Sequence, residues 1–296
     1  MVEIYAKTEK RIIKGNDGTP LAVWIMGDGP VDWVIAPGLG TPHISWKFIV
    51  ERFQHQFRVI TWDARGTYSS GTPRDMDRLR VEDHAADLFA VVDELGIDEF
   101  IAGGWSMGVQ ISLEAFHRQP ERFSALILLN GAPGQLLSTA YGVPGFEKFA
   151  IAVLNVSSRF GSLFGPAFTW LLTQPWTLST MKALQIFTDN EEYFRKMVGT
   201  FRDLDFGTYF KMMVLTNEHT AVPYLPEVDV PTLITAGTKD KMTPLKTAHL
   251  IVDTIPNAEL FIVPNGTHYT IVEYPEIINL RLERFFRDHV PEANVD

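Results

Sequence analysis

The chain contains no cysteine among its 296 residues. That absence excludes thiol nucleophiles, cysteine-ligated zinc and any disulfide framework, and it leaves the redox compartment open. Positive charge is not in excess either: 26 Lys and Arg stand against 36 Asp and Glu, a formal charge of −10. Nucleic acid and anionic membrane surfaces are held by Lys and Arg that neutralise phosphates, so neither is an expected partner. No uninterrupted apolar run approaches the ~18 residues needed to span a bilayer. Met1–Arg11 carries charges throughout and has no apolar core of a secretory signal, so the expectation is a soluble, cytoplasmic protein. What the chain does have is apolar content, 46%. At this length it can bury roughly three quarters of the surface its unfolded form exposes, with no metal or disulfide needed.

Short apolar runs bounded by turns alternate with longer helix-period segments over the first 130 or so positions. Leu21–Met26 and Val31–Ala36 read as strands joined through Gly27-Asp28-Gly29-Pro30; Phe57–Trp62, Phe100–Gly103 and Ala125–Leu129 are further runs of the same kind. Their apolarity is continuous rather than alternating, which suggests a parallel sheet covered on both faces. Val81, Ala85, Leu88, Val92 and Leu95 fall on one stripe of a helix over Val81–Leu95, with Gly96 placed to stop it. Strand, helix, strand, helix is an α/β pattern. It breaks at Asn130–Gly134. From Gln135 to Pro226 no strand-like run occurs, and the segment holds nearly half of the chain's Phe, Trp and Tyr in under a third of its length. Strands resume at Pro231–Ala236 and Glu259–Val263, before a final helix near Ile271–His289. A helical insertion within an α/β sheet reads as a cap, giving a core of 1–134 and 227–296 and a cap of 135–226. Most of the cap's aromatics are expected to fill its own interior, with a minority facing a pocket.

Gly104-Trp105-Ser106-Met107-Gly108 directly follows the strand Phe100–Gly103 and precedes a helical stretch, Val109–Arg118. A nucleophile raised on a strained strand-to-helix turn needs small residues two positions to either side. The turn lifts the Ser106 hydroxyl clear of the sheet and aims the next backbone N–H at the reaction centre.

With this motif the chain resembles the α/β-hydrolase family, and the resemblance covers most of its length. Ala36-Pro37-Gly38-Leu39-Gly40 stands where the family places its oxyanion loop. Asp63-Ala64-Arg65-Gly66 with Ser69-Ser70-Gly71 resembles the loop after the fourth strand. Gly237-Thr238-Lys239-Asp240 and Gly266-Thr267-His268 resemble the late strand ends that bear acid and base. The resemblance implies a mostly parallel eight-stranded sheet flanked by helices, with a helical cap after the sixth strand. It also implies the chain order Ser106, Asp240, His268 for a catalytic triad.

Among eight histidines, His268 alone follows a strand through a loop. His84, His117, His249 and His289 lie in or near helices, His219 in the cap, and His43 and His55 precede the nucleophile. A loop position lets a general base reach over the sheet to the serine. Asp240 would accept from the second imidazole nitrogen. Some family members carry the acid after the strand that here ends at Asn130, an amide that cannot hold the charge. Asp63 and Arg65 are expected to organise loops. By resemblance, the oxyanion hole is the N–H of Leu39 and of Met107, and Gly38, Trp105 and Tyr269 are the expected substrate-binding positions.

Three departures from the family pattern stand out. Pro37 precedes Gly38 where His is common. Trp105 precedes the nucleophile, as in cofactor-free haloperoxidases, perhydrolases and many esterases. Tyr68 occupies a position that often holds glycine, so the course of that loop is open. A serine nucleophile disfavours the aspartate-dependent epoxide hydrolases and dehalogenases. The reading is therefore a carboxylic ester hydrolase working through an acyl-enzyme on a small apolar ester. No metal or organic cofactor is implied, and the oligomeric state is unreadable. Three alternatives remain: a carbon–carbon bond hydrolase, which typically has Trp where this chain has Tyr269; perhydrolysis beside esterase activity; and a ligand receptor of the same fold.

Overall fold

A strand covered by helices on both faces has no solvent side, so its sequence loses alternation. The structure, a computed structural model, describes residues 7–140 and 145–295 apart from the side chains at 162, 164 and 166. In chain order it runs β1 (Thr8–Lys14), β2 (Pro20–Met26), β3 (Val31–Ala36), α1 (Lys47–Phe53), β4 (Phe57–Trp62), α2 (Val81–Glu94), β5 (Phe100–Trp105), α3 (Met107–Arg118) and β6 (Phe123–Leu129). Among the described residues five α-helices follow: α4 (Leu136–Thr139), α5 (Phe146–Leu172), α6 (Pro175–Ala183), α7 (Glu191–Gly199) and α8 (Phe206–Glu218). The chain then returns through β7 (Thr232–Gly237), α9 (Leu245–Thr254), β8 (Ala258–Val263), α10 (Thr270–Glu273) and α11 (Pro275–His289). Every residue of β5 and β7 is buried, as continuous apolarity requires.

The eight strands form one sheet in the order β1-β2-β4-β3-β5-β6-β7-β8. β1 pairs antiparallel with β2, and β2 with β4; every other pairing is parallel. From β3 the chain steps outward to β4, then crosses back over β3 to β5 and continues the other way. That reversal opens a crevice at the carboxyl ends of β3 and β5, where open α/β sheets bind ligands. Ala36 is in register with Gly104, so the Pro37–Gly40 loop and Ser106 leave the sheet side by side. One apolar core packs α2, α3 and α9 on one face of the sheet, and a second packs α1 and α11 on the other.

The structure adds to the sequence reading in two places and differs from it in a third. β1 is an edge strand in which Ile13 alone is buried, and its Thr-Glu-Lys-Arg start carries no strand pattern. β2 and β3 are consecutive but do not pair, because β4 lies between them. The final helix is two helices, α10 and α11, because Pro275 cannot donate to the preceding turn and instead starts the second one. Of the expected core and cap segments, residues 1–6, 141–144 and 296 lie outside the described residues.

Candidate active site

Ser106 sits between β5 and α3 with φ 58° and ψ −115°, a conformation rarely held by a residue with a side chain. Its surroundings permit the turn only if they are small. A Cβ on Gly104 would run into the carbonyl of Gly108, and one on Gly108 would run into the carbonyl of Ala36. Gly38 is constrained by the neighbouring loop: a Cβ there would stand 2.8 Å from Trp105 O and 3.4 Å from Ser106 Cβ. Ser106 N donates to Leu129 O at 3.1 Å, tying the turn to β6.

Asp240 follows β7 and is buried. Its Oδ2 lies 2.9 Å from His268 Nδ1. Thr243 Oγ1 is 2.8 Å from the same Oδ2, and Asn130 Nδ2 donates to it at 3.3 Å. Oδ1 accepts from the backbone N–H of Met242 at 2.9 Å and of Thr243 at 2.8 Å. Burial pushes the carboxyl's pKa up, but the adjoining His268 charge and hydrogen bond, with the Thr243 donors, outweigh it and hold Asp240 below the ordinary carboxylate value. A carboxylate on Nδ1 fixes the proton on that nitrogen and leaves Nε2 as the basic one.

The loop bearing His268 is held from several sides. Trp105 Nε1 donates to His268 O at 3.0 Å. Asn130 Nδ2 donates to Thr267 O at 3.0 Å. Glu273 accepts from Thr267 N at 2.9 Å, and also from Thr188 N at 2.6 Å, which links this loop to the segment between α6 and α7. Ser106 and His268 open on one cavity of about 380 Å³, with Trp105 and Tyr269 on its wall. No direct hydrogen bond joins Ser106 Oγ to His268 among the described residues. The rest of the wall is almost wholly apolar, with Phe146, Phe149, Phe201 and Met213 contributed by the segment between β6 and β7.

Of the residues singled out from sequence, Ser106, His268, Trp105, Tyr269 and Leu39 line this cavity, and Asp240 stands behind His268. Gly38 lies beneath Ser106 and does not line it. Met107 begins α3, so its N–H has no acceptor within the helix. Leu39 N–H has no backbone acceptor among the described residues. Asp63 and Arg65 lie away from the cavity: Asp63 accepts from Trp24 Nε1 at 3.1 Å and from Ser69 N at 3.0 Å, while Arg65 pairs with Asp87 and Asp17. Sequence reasoning missed Thr243, and it named Asn130 and Tyr68 without the contacts they make. Thr243 had a signal, since Asp-x-x-Thr before Pro244 and a helix is an Asx-type turn. Among the described residues no cluster of three or more His, Asp or Glu side chains is arranged to hold a metal ion, and no helix is long and apolar enough to cross a membrane.

Residues 34–275 match the family model of the alpha/beta hydrolase fold. The chain belongs to that family. It is 25% identical to the putative carbamate hydrolase RutD of Azorhizobium caulinodans over 264 residues, 85% of this chain and 89% of that one. It is 31% identical to the Karrikin insensitive 2 receptor IA of Petunia hybrida over 137 residues, which is 46% of this chain and half the length of that receptor. The esterase EaEST from Exiguobacterium antarcticum superposes with a TM-score of 0.78 at 20% identity, covering 94% of this chain and all of that one. At that identity the likeness is one of fold.

Proposed function

We propose that this protein is a serine hydrolase of small carboxylic esters with an apolar acyl or alcohol group. The observation that carries the reading is the buried Asp240–His268 pair, 2.9 Å apart, with His268 on the wall of an apolar cavity into which Ser106 opens. In this mechanism His268 Nε2 takes the proton of Ser106 as Oγ attacks the ester carbonyl. The N–H groups of Leu39 and Met107 receive the developing oxyanion. His268 returns the proton to the leaving alkoxide, giving an acyl-enzyme and a free alcohol. Water then attacks the acyl carbon with His268 again as base, releasing the acid and restoring Ser106. Asp240 holds the imidazole in register and stabilises its charged form. Residues 135–226 act as a cap that supplies the acyl pocket to a core of 1–134 and 227–296.

The test is a series of p-nitrophenyl esters from acetate to palmitate, with Ser106→Ala in parallel. A cavity near the lower end of the usual ~300–1,000 Å³ range predicts an optimum at short to medium chains. Activity should vanish in the alanine variant. Equal rates in both proteins, or none with any ester, would refute the assignment. The match to the petunia receptor supports a second reading, a ligand receptor on the same fold. That reading predicts no turnover, with a ligand-dependent change in hydrogen exchange across residues 145–226.

A further inference from the structure

An apolar stripe runs along the solvent side of α5. Phe149, Val153, Val156, Phe160, Leu163, Ala167 and Trp170 are all exposed. Their spacing alternates steps of four and three residues without a break. The large ones are open to water, with Phe149 at 68%, Leu163 at 73% and Trp170 at 64%. The opposite side of the helix is already occupied: Gly161 and Gly165 lie against Phe206 of α8. A helix apolar on both sides is one meant to be covered on both.

We propose that α5 is the contact face of a homodimer, packed through this stripe against the same helix of a second copy. Three observations favour a second copy. A strict four-three repeat sustained over about three heptads keeps the stripe on one side for the whole helix, long enough for the same helix of a second copy to pack along it. The area is also sufficient. With Phe168, Leu171 and Trp176 at its flank, the exposed stripe amounts to roughly 900 Å², close to the ~800 Å² each partner contributes to a standard interface.

Charge is the third observation. A protein surface held to an anionic membrane carries Lys and Arg around its apolar patch. In α5 the charged residues are Glu147, Lys148 and Arg159 alone, in a chain of net charge −10. The same surface meeting its copy about a two-fold axis closes on itself and leaves no open end. Phe149 and Val153 also line the cavity, so the interface reaches the cavity mouth. The dimer rests on the surface of α5 and not on the chemistry of Ser106.

The test is sedimentation velocity on the full chain at micromolar concentrations. The unaltered protein should sediment at twice the chain mass. Phe160→Glu with Leu163→Glu should weaken the dimer at least a hundredfold, while Asn155→Glu, exposed on α5 but off the stripe, should leave it intact. Because the chain has no cysteine, a second readout does not depend on how charged variants fold. Val156→Cys, Phe160→Cys and Leu163→Cys, oxidised one at a time, should include disulfide-linked dimers, and Asn155→Cys should give none. A monomer at every concentration would overturn the proposal, as would a dimer untouched by the charged pair. Pelleting of the monomer with phosphatidylcholine vesicles, lost in the charged variant, would overturn it by assigning the stripe to lipid.

Discussion

Tyr68 Oη donates a hydrogen bond of 2.6 Å to the carbonyl of Gly40. The residue that occupies a frequent glycine position thereby braces the loop carrying Leu39 N–H. Both ends of the link are in the left-handed region, Tyr68 with φ 45° and Gly40 with φ 65°. Burial raises the phenol above its ordinary pKa, so the hydroxyl stays a donor throughout the working range. On the side of the helices, Thr200 Oγ1 lies 3.4 Å from the same hydroxyl.

Tyr68→Phe should therefore act on the loop proposed to hold the oxyanion more than on substrate binding. The lost hydrogen bond is worth about 1 kcal/mol, or roughly a fivefold fall in kcat, with KM changed less than about twofold. Steady-state kinetics on the best p-nitrophenyl ester decides it. A rise in KM at constant kcat would place Tyr68 in substrate binding instead.

Asn130 stands where some relatives of this fold carry their acid, and its Nδ2 is 3.3 Å from Asp240 Oδ2. Asp240→Asn should lower kcat by about 10⁴-fold by removing the charge that fixes the imidazole. Adding Asn130→Asp to that variant returns a carboxylate to the neighbouring strand end and should recover at least about tenfold, since carboxylate charge is the missing element. A double variant no better than Asp240→Asn would mean that the end of β6 cannot reach His268.

The elbow permits no side chain at its flanks. Gly108→Ala would drive a Cβ into the carbonyl of Ala36, and the backbone adjustment should cost about 3 kcal/mol or more. Urea denaturation should place its midpoint well below that of Gly96→Ala. Nothing lies within 4 Å of a Cβ at Gly96, whose φ of 66° is its only constraint. Equal midpoints would mean that the elbow yields.

His43 stacks on Trp24 at 3.7 Å between ring centroids. Burial, with Lys10 nearby, lowers its pKa to about 4 from an ordinary 6.5. Below 6.5 the unfolded chain takes up a proton that the folded one refuses until about 4. Stability from this group is thus complete above pH 6.5 and lost as pH falls toward 4. Relative to His43→Gln, the unaltered protein should lose about 1–2 kcal/mol more between pH 7 and 5. Parallel losses in urea titrations of the two proteins would contradict this.

Much of the fold was legible because burial on both faces leaves an unmistakable run, as in Ala125–Leu129 and Thr232–Ala236. The elbow was legible because its strain permits only glycine at positions 104 and 108. Local sequence could not reveal roles that depend on which strands are neighbours. Asn130 meets Asp240 only because β6 pairs with β7, and Tyr68 meets Gly40 across 28 positions of chain. β1 escaped because an exposed edge strand needs little apolar content. The aromatics between β6 and β7 were expected to fill the interior, with a minority facing a pocket; that Phe160, Phe168, Trp170 and Trp176 face solvent was not foreseen. Nothing in a single helix's sequence says which of its two apolar sides its own chain will cover.

The central claim is that Ser106 becomes acylated, and a trap for the nucleophile tests it most directly. The protein would be incubated with an alkyl p-nitrophenyl phosphonate, weighed intact by mass spectrometry and mapped by peptide. The account predicts one adduct per chain on Ser106, none in Ser106→Ala, and much slower labelling in His268→Ala. Absence of an adduct, or an adduct that persists in Ser106→Ala, would contradict it.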